Sequence, residues 1–249
     1  MKLKDRRVFI TGAALRLGRA IALAAAREGA ELILHYRSSR GAVEILAEEI
    51  QNIGSRAYIL HADLSNPDEV SNLFIKATSF GPLYALVNNA SIFAQLDWEY
   101  TTVEDWERHL RVNLTAPFIL TQAFARILGP QENGRVLNML DWRALRPGAD
   151  HLPYTISKAG LAALTRSMAT ALAPRIIVNG LALGAILPAN ETNSSDPIGD
   201  EQLSEVIRLV PAQRWAALEE LQEAAIFLLS GPAYITGEIL HLDGGRHLV

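Results

Sequence analysis

The chain has 249 residues, 49% of them hydrophobic and 20% charged, a composition that excludes a disordered or fibrous protein. A formal net charge of −4 gives no general attraction to nucleic acid or to an anionic membrane, so any anion site has to be local. The absence of cysteine rules out disulfides, thiol catalysis and cysteine-ligated metal; with no secretory apolar core and no long uncharged apolar run, a cytoplasmic location is expected.

Val8-Phe9-Ile10 reads as a buried strand and runs at once into Thr11-Gly12-Ala13-Ala14-Leu15-Arg16-Leu17-Gly18. Alanine-rich Arg19 to Glu28 is helical and is stopped by Gly29. Leu32 to Tyr36 is the next strand, Gly41 to Asn52 the next helix, and Ala57 to Leu60 a third strand ending at His61-Ala62-Asp63-Leu64. Ser65 or Asn66 with Pro67 starts another helix. Leu83 to Val87 is a fourth strand, leading into Asn88-Asn89-Ala90-Ser91. One long helix is expected after Thr102, then a strand from Arg135 to Leu140. The Tyr154 helix, a strand from Ile176 to Asn179, a helix near Glu219 to Leu229 and a strand from Glu238 to Leu242 complete the chain.

Strands alternate with helices, and the strands are continuous apolar runs rather than alternating ones. Both facts predict a parallel sheet of about seven strands with helices on both faces. No repeat or linker divides the chain, so residues 1–249 are expected to form a single doubly wound, Rossmann-type α/β domain. The stretch from 185 to about 210, rich in Asn, Ser, Pro and Asp, lacks a periodic pattern and is expected to be a substrate loop.

Gly12 and Gly18 fit a strand-to-helix turn in which backbone approaches a pyrophosphate, with the helix N-terminus behind it. The middle glycine of such a turn is absent, and Arg16 stands there. After the second strand comes His35-Tyr36-Arg37-Ser38-Ser39-Arg40, without the acid that would bond an adenine-ribose 2′-hydroxyl. Cations and hydroxyls at that place favour a 2′-phosphate, and NADPH is the expected cofactor.

Tyr154 and Lys158 are four apart at the start of a helix and therefore share a face. An ammonium one turn from a phenol is expected to lower its pKa from about 10 towards that of a working general acid. The remaining histidines, at 35, 109, 151, 241 and 247, have no metal-ligand spacing, and no metal site is expected. Trp142 and Arg143 either border a substrate or lie on the surface; Trp98 and Trp106 read as core or interface.

Thr11-Gly12 to Gly18, Asp63-Leu64, Asn88-Asn89-Ala90, Asn113, Tyr154-x-x-x-Lys158 and Asp243-Gly244-Gly245 together resemble the short-chain dehydrogenase/reductase family over essentially the whole chain. The resemblance implies that Asn113, Tyr154 and Lys158 form the catalytic group and that Asp63, Leu64, Asn89 and Ala90 line adenine and ribose. Gly12, Arg16, Leu17, Gly18, Tyr36, Arg37, Ser38, Ser91 and Gly184 complete the expected cofactor contacts. It also implies a homotetramer, for which small apolar Thr165 to Ala173 offers a packing face; burial on its own sheet explains that stretch equally well.

The family's serine, about a dozen residues before the tyrosine, is replaced by Asp141. A serine hydroxyl donates to a developing oxyanion, whereas an ionised carboxylate only accepts. Asp141 therefore suits a substrate atom that must receive a proton, or a substrate rich in N–H donors. Arg16, His35-Tyr36-Arg37-Ser38, Asn89 to Phe93 and Asp141 together resemble the pteridine-reductase branch. That resemblance implies reduction of a C=N bond in a pterin or folate-like ring held by Phe93, Ser91, Arg16, Asp141 and Tyr154. The alternative is a carbonyl reductase acting on a ketone or 3-oxoacyl substrate, and a third reading is a non-catalytic NADPH sensor. Leu181-Ala182-Leu183-Gly184 lacks the proline usual before that glycine.

Overall fold

The computed structural model describes residues 1–129, 132–186 and 205–249. Seven strands form one sheet: β1 (Arg7–Ile10), β2 (Glu31–Tyr36), β3 (Ala57–His61), β4 (Ala85–Asn88), β5 (Gly134–Asp141), β6 (Ile176–Leu183) and β7 (Ile239–Leu242). Their order is β3-β2-β1-β4-β5-β6-β7, and every pair is parallel. The chain winds outward from β1 to β3, returns to the middle at β4, and then winds the other way. That reversal between β1 and β4 opens a crevice at their carboxyl ends, the usual ligand site of such sheets.

The helices are α1 (Arg16–Arg27), α2 (Arg40–Asn52), α3 (Pro67–Thr78), α4 (Val103–Leu110), α5 (Ala116–Ile127), α6 (Leu152–Leu172) and α7 (Leu218–Ser230). One core joins α1, α2 and α7 to a sheet face through Ile21, Leu46, Leu34, Val87 and Leu221. The other packs α3 and α5 on the opposite face through Phe9, Leu73, Leu86, Leu120 and Phe124. Covered on both sides, β4 and β6 are buried along their whole length, which explains their unbroken apolar runs. Asn66 caps α3 by accepting from Asp68 N and Glu69 N, with Pro67 in the first turn, as the sequence predicts.

Besides shifts of one or two residues, three boundaries differ from expectation. The first helix begins at Arg16, one turn earlier than Arg19. The long helix after Thr102 is interrupted: α4 passes through a π-helical turn, Arg111–Thr115, before α5. β6 continues past Asn179 to Leu183 because all eight residues pair with β5. Within it Gly180 leaves room for Leu140, whose Cδ1 would lie 2.5 Å from an added Cβ. Most of the loop expected at 185–210 lies outside the described residues. Among the described residues, no helix is long and apolar enough to cross a membrane.

Candidate active site

The crevice at the ends of β1 and β4 is built by a mutual clamp. Thr11 Oγ1 donates to Val87 O at 3.3 Å and accepts from Asn89 N and Ala90 N, each at 3.0 Å. Asn89 Nδ2 returns two bonds of 2.9 Å, to Thr11 O and Gly12 O. Gly12 has φ 62°, and a Cβ there would sit 2.9 Å from Ala90 Cα; at Gly18 a Cβ would meet Gly12 O at 2.2 Å. Any side chain at either position would force the turn away from the 89–90 loop. Asn89 and Ala90, expected as cofactor contacts, thus also shape the turn itself.

Gly12 N also donates to His35 Nδ1 at 3.1 Å, so the Nε2 of His35 carries the hydrogen that reaches Ala62 O at 3.1 Å. Burial lowers the His35 pKa from 6.5 to about 4 and keeps the ring neutral in this role. Sequence alone leaves His35 without a task. The geometry makes it the strut between the first turn and the end of β3.

The residues at this crevice fit a dinucleotide. Leu15 precedes α1 without a side-chain cap, and the first turn of α1 carries no acid, so its free N–H groups and positive dipole end suit a pyrophosphate. Arg16, Arg37 and Ser38 are exposed at the ends of the first turn and of β2, accessible to a 2′-phosphate. Arg16 has φ 50°, a left-handed conformation that glycine would adopt without strain. Tyr36 packs edge-on against His61, 5.3 Å between ring centres. Asp63 accepts from Ser65 N and Oγ, each at 2.8 Å, and these bonds, helped by Arg37 and Arg108, hold its pKa below the usual value. Leu64 is buried, Leu17 half-buried and Ser91 exposed. Gly184 closes β6 against Asp243, where a Cβ would lie 2.6 Å from Asp243 Cα.

On the other side of the crevice, Asp141 at the end of β5 meets Tyr154 and Lys158 of α6. Tyr154 and Lys158 share a buried face of α6, as their spacing predicts. Tyr154 Oη donates to Asp141 Oδ2 at 3.0 Å, and Lys158 Nζ donates to Met139 O at 2.7 Å. Asp141 Oδ1 accepts from Arg143 N at 2.8 Å, and the Arg143 guanidinium lies 3.9 Å away before reaching Asp150 at 3.0 Å.

The Tyr154 pKa moves in the direction opposite to the one expected from its spacing to Lys158. Burial and then the Asp141 carboxylate raise its pKa well above 10, so the phenol is held protonated. The ammonium of Lys158 lies 5.8 Å from the Tyr154 ring centre and points at a carbonyl, too far to reverse this. Burial lowers Lys158 itself to about 8, partly opposed by Asp141. Burial raises the pKa of Asp141, against the pull of Arg143 and of the Tyr154 hydroxyl. The unit is a phenol–carboxylate pair with its hydrogen directed at the carboxylate.

Asn113 sits in the π-helical turn, fully buried. Its Oδ1 accepts from Ile92 N at 2.9 Å, while its Nδ2 donates to Ile92 O and to Ser157 Oγ, each at 3.0 Å. These three bonds hold the loop after β4 against α6, which makes it a positioning residue for Tyr154. Ser157 completes that link by donating to Tyr154 O at 2.6 Å. The π-helical turn turns Asn113 inward, a recurrent use of that irregularity at functional sites.

Phe93 packs edge-on against the Tyr154 ring at 4.6 Å and stacks on His151 at 4.0 Å. His151 adopts φ 52° and reaches Ala94 O through Nδ1 at 2.9 Å. One face of Phe93, the ring expected to stack on a substrate, is therefore covered by His151. Neither His151 nor Arg143 carries a sequence signal for this placement, beyond their nearness to Tyr154 and Asp141.

Residues 12–247 match a protein-family model described as enoyl-(acyl carrier protein) reductase. A 3-oxoacyl-[acyl-carrier-protein] reductase of Synechocystis sp. is 32% identical over 243 residues, covering 95% of each chain. Among solved structures, FolM alternative dihydrofolate reductase 1 from Brucella canis, complexed with NADP, is 32% identical with a TM-score of 0.90, covering 100% of this chain and 97% of that one. A blue fluorescent protein from a metagenomic library, in complex with NADPH, is 30% identical with a TM-score of 0.90 and 99% coverage of both.

Proposed function

The chain belongs to the short-chain dehydrogenase/reductase family, and on that premise we propose that it is an NADPH-dependent reductase of a C=N bond in a pterin or folate-like ring. The observation that carries this reading is the 3.0 Å bond from Tyr154 to Asp141, where the family has serine. With its hydrogen on Asp141, Tyr154 delivers a proton only to a substrate that takes over the carboxylate's acceptor oxygen. A pterin edge, with amino and ring N–H groups, does so and frees the phenol. A ketone brings no donor, and its growing oxyanion would face a carboxylate.

NADPH, the cofactor bound in structural relatives, supplies the hydride when present. The first turn and the N-terminus of α1 would hold its phosphates, and Arg16, Arg37 and Ser38 are the residues that would meet a 2′-phosphate. Tyr154 gives its proton to a ring nitrogen, Asp141 orients the N–H edge, Lys158 holds positive charge near the tyrosine, and Asn113 fixes the loop carrying Phe93. Phe93, Ser91 and Arg16 flank the substrate, with His151 moving off Phe93 if both faces are to be used.

The second reading is reduction of a carbonyl, a 3-oxoacyl group in particular. Taken by name, the curated relatives back it better than they back the pterin reading, because 3-oxoacyl-[acyl-carrier-protein] reductases dominate them. The FolM structures and Asp141 support the pterin reading. The deciding assay is NADPH oxidation at 340 nm with dihydrobiopterin, dihydrofolate and acetoacetyl thioesters side by side. Turnover confined to thioesters or ketones overturns the pterin reading. A cytoplasmic homotetramer is proposed on the family resemblance, and light scattering after gel filtration tests the assembly.

A further inference from the structure

Beside the phenol–carboxylate pair lies a second feature that the chemistry above does not use. A cleft of about 520 Å³ opens between the turn after β5 and the segment 208–213, with Trp142, Arg146, Arg208, Pro211, Gln213 and Arg246 among its walls. Arg143 links the two places: its guanidinium lies 3.9 Å from Asp141 and packs over the ring of Trp142, which lines the cleft. Its indole receives two guanidiniums, Arg143 at 4.8 Å and Arg246 at 4.9 Å from the ring. Arg246 is fixed by donating from Nη1 to Leu209 O at 2.6 Å. Burial first, and then the charges of Arg143 and Arg146, lower its pKa. Among the described residues, no carboxylate forms an ion pair with Arg146, Arg208 or Arg246. A chain of net charge −4 has thus gathered three arginines into one concave place.

We propose that this arginine cleft is an anion subsite that takes the negatively charged tail of the substrate whose ring or carbonyl lies at Asp141 and Tyr154. The inference rests on the reading of the Asp141–Tyr154 pair as the reacting centre. Guanidiniums match carboxylate and phosphate oxygens with paired N–H groups, and a tail held there leaves the reacting end beside Asp141. Two tails share this chemistry: the glutamyl carboxylates of a folate-type substrate and the phosphate of a phosphopantetheine-type thioester. The cleft also gives the enzyme a means to prefer a tailed substrate over a bare ring, through KM rather than through the chemical step.

The test compares KM values for matched pairs on wild type, Arg146→Gln and Arg146→Gln/Arg208→Gln, both positions being exposed. One pair is dihydrofolate against dihydrobiopterin, the other acetoacetyl-4′-phosphopantetheine against acetoacetyl-pantetheine. Calorimetry of p-aminobenzoyl-glutamate and of 4′-phosphopantetheine with wild-type protein, at low and high salt, gives a readout free of turnover. The double variant is expected to raise the tailed-to-untailed KM ratio at least tenfold, and wild-type binding of that tail to weaken with salt. A response in the dihydrofolate pair supports both the subsite and the pterin reading. A response in the phosphopantetheine pair alone supports the subsite and overturns the pterin reading. Ratios within twofold of wild type, with neither tail bound by wild type, overturn the subsite whichever substrate is reduced.

Discussion

At the scale of single residues, one substitution reorganises the site. With serine at 141 the tyrosine would share its proton with another donor; with Asp141 it donates to a carboxylate and is held protonated. Tyr154→Phe is expected to lower kcat about 10²- to 10⁴-fold, the usual contribution of a positioned general acid, while NADPH still binds. Stopped-flow kinetics with a fluorescence titration of cofactor checks both halves, and more than half of wild-type kcat would remove Tyr154 from the reaction. Asp141→Ser separates the substrate classes: pterin turnover should fall by about 2–4 kcal/mol of transition-state stabilisation, and ketone turnover should rise. The pH profile carries its own sign. Lys158, lowered to about 8, loses its charge as pH rises through that value, so kcat/KM should decline there. Asp141 raises the pKa of both Lys158 and Tyr154, so in Asp141→Ser the alkaline limb should move to lower pH. A limb that stays in place would show that neither group sets it.

At the scale of elements, the helix face and the first turn are where sequence reading succeeds and then stops. The spacing of Tyr154 and Lys158 puts them on one buried face, because helical geometry leaves no alternative. The direction of the tyrosine shift is not legible, because it depends on a bond to a residue thirteen positions earlier and on burial. Likewise the π-helical turn at Asn113 leaves no mark in a pattern that reads as one continuous helix. Arg16 is a case where the missing glycine is visible and its cost is not. It stands at φ 50°, where an L-residue loses roughly 1–2 kcal/mol relative to its usual conformation. Arg16→Gly relieves that strain but adds freedom to the unfolded chain, about 0.4–1 kcal/mol in the other direction. Stability should therefore stay within about 1 kcal/mol of wild type in urea unfolding. Cofactor choice should not stay: losing one charge-assisted contact should cut the NADPH-over-NADH preference about tenfold, or 1.4 kcal/mol. An unchanged ratio of dissociation constants would place the 2′-phosphate elsewhere.

Across the whole molecule, the alternation of apolar strands and helices fixes the sheet class, since a strand buried on both faces has no room for polar alternation. What the pattern does not reveal is which polar groups cross between strands to hold the carboxyl ends in register. His35 is the main example: it lies in β2, takes the N–H of Gly12 beyond β1 and donates to Ala62 beyond β3. Its neighbours in charge are His61 and Asp63, which oppose one another, and burial outweighs both in lowering its pKa to about 4. The unfolded chain keeps the ordinary value near 6.5, so between those two values the unfolded state binds a proton that the native state refuses. Stability must then fall as pH drops through that window, by up to roughly 3 kcal/mol at its lower end, and none of this loss applies above it. Acids elsewhere add their own acid dependence, so the measurement is a difference. His35→Gln offers an amide oxygen to Gly12 and an amide N–H to Ala62 without titrating. Urea unfolding of both proteins at pH 7 and pH 4.5 should show wild type losing about 2–3 kcal/mol more than the variant over that interval. Equal losses would mean that His35 is protonated in the folded protein, and that the strut between the cofactor turn and β3 is not built as a neutral imidazole.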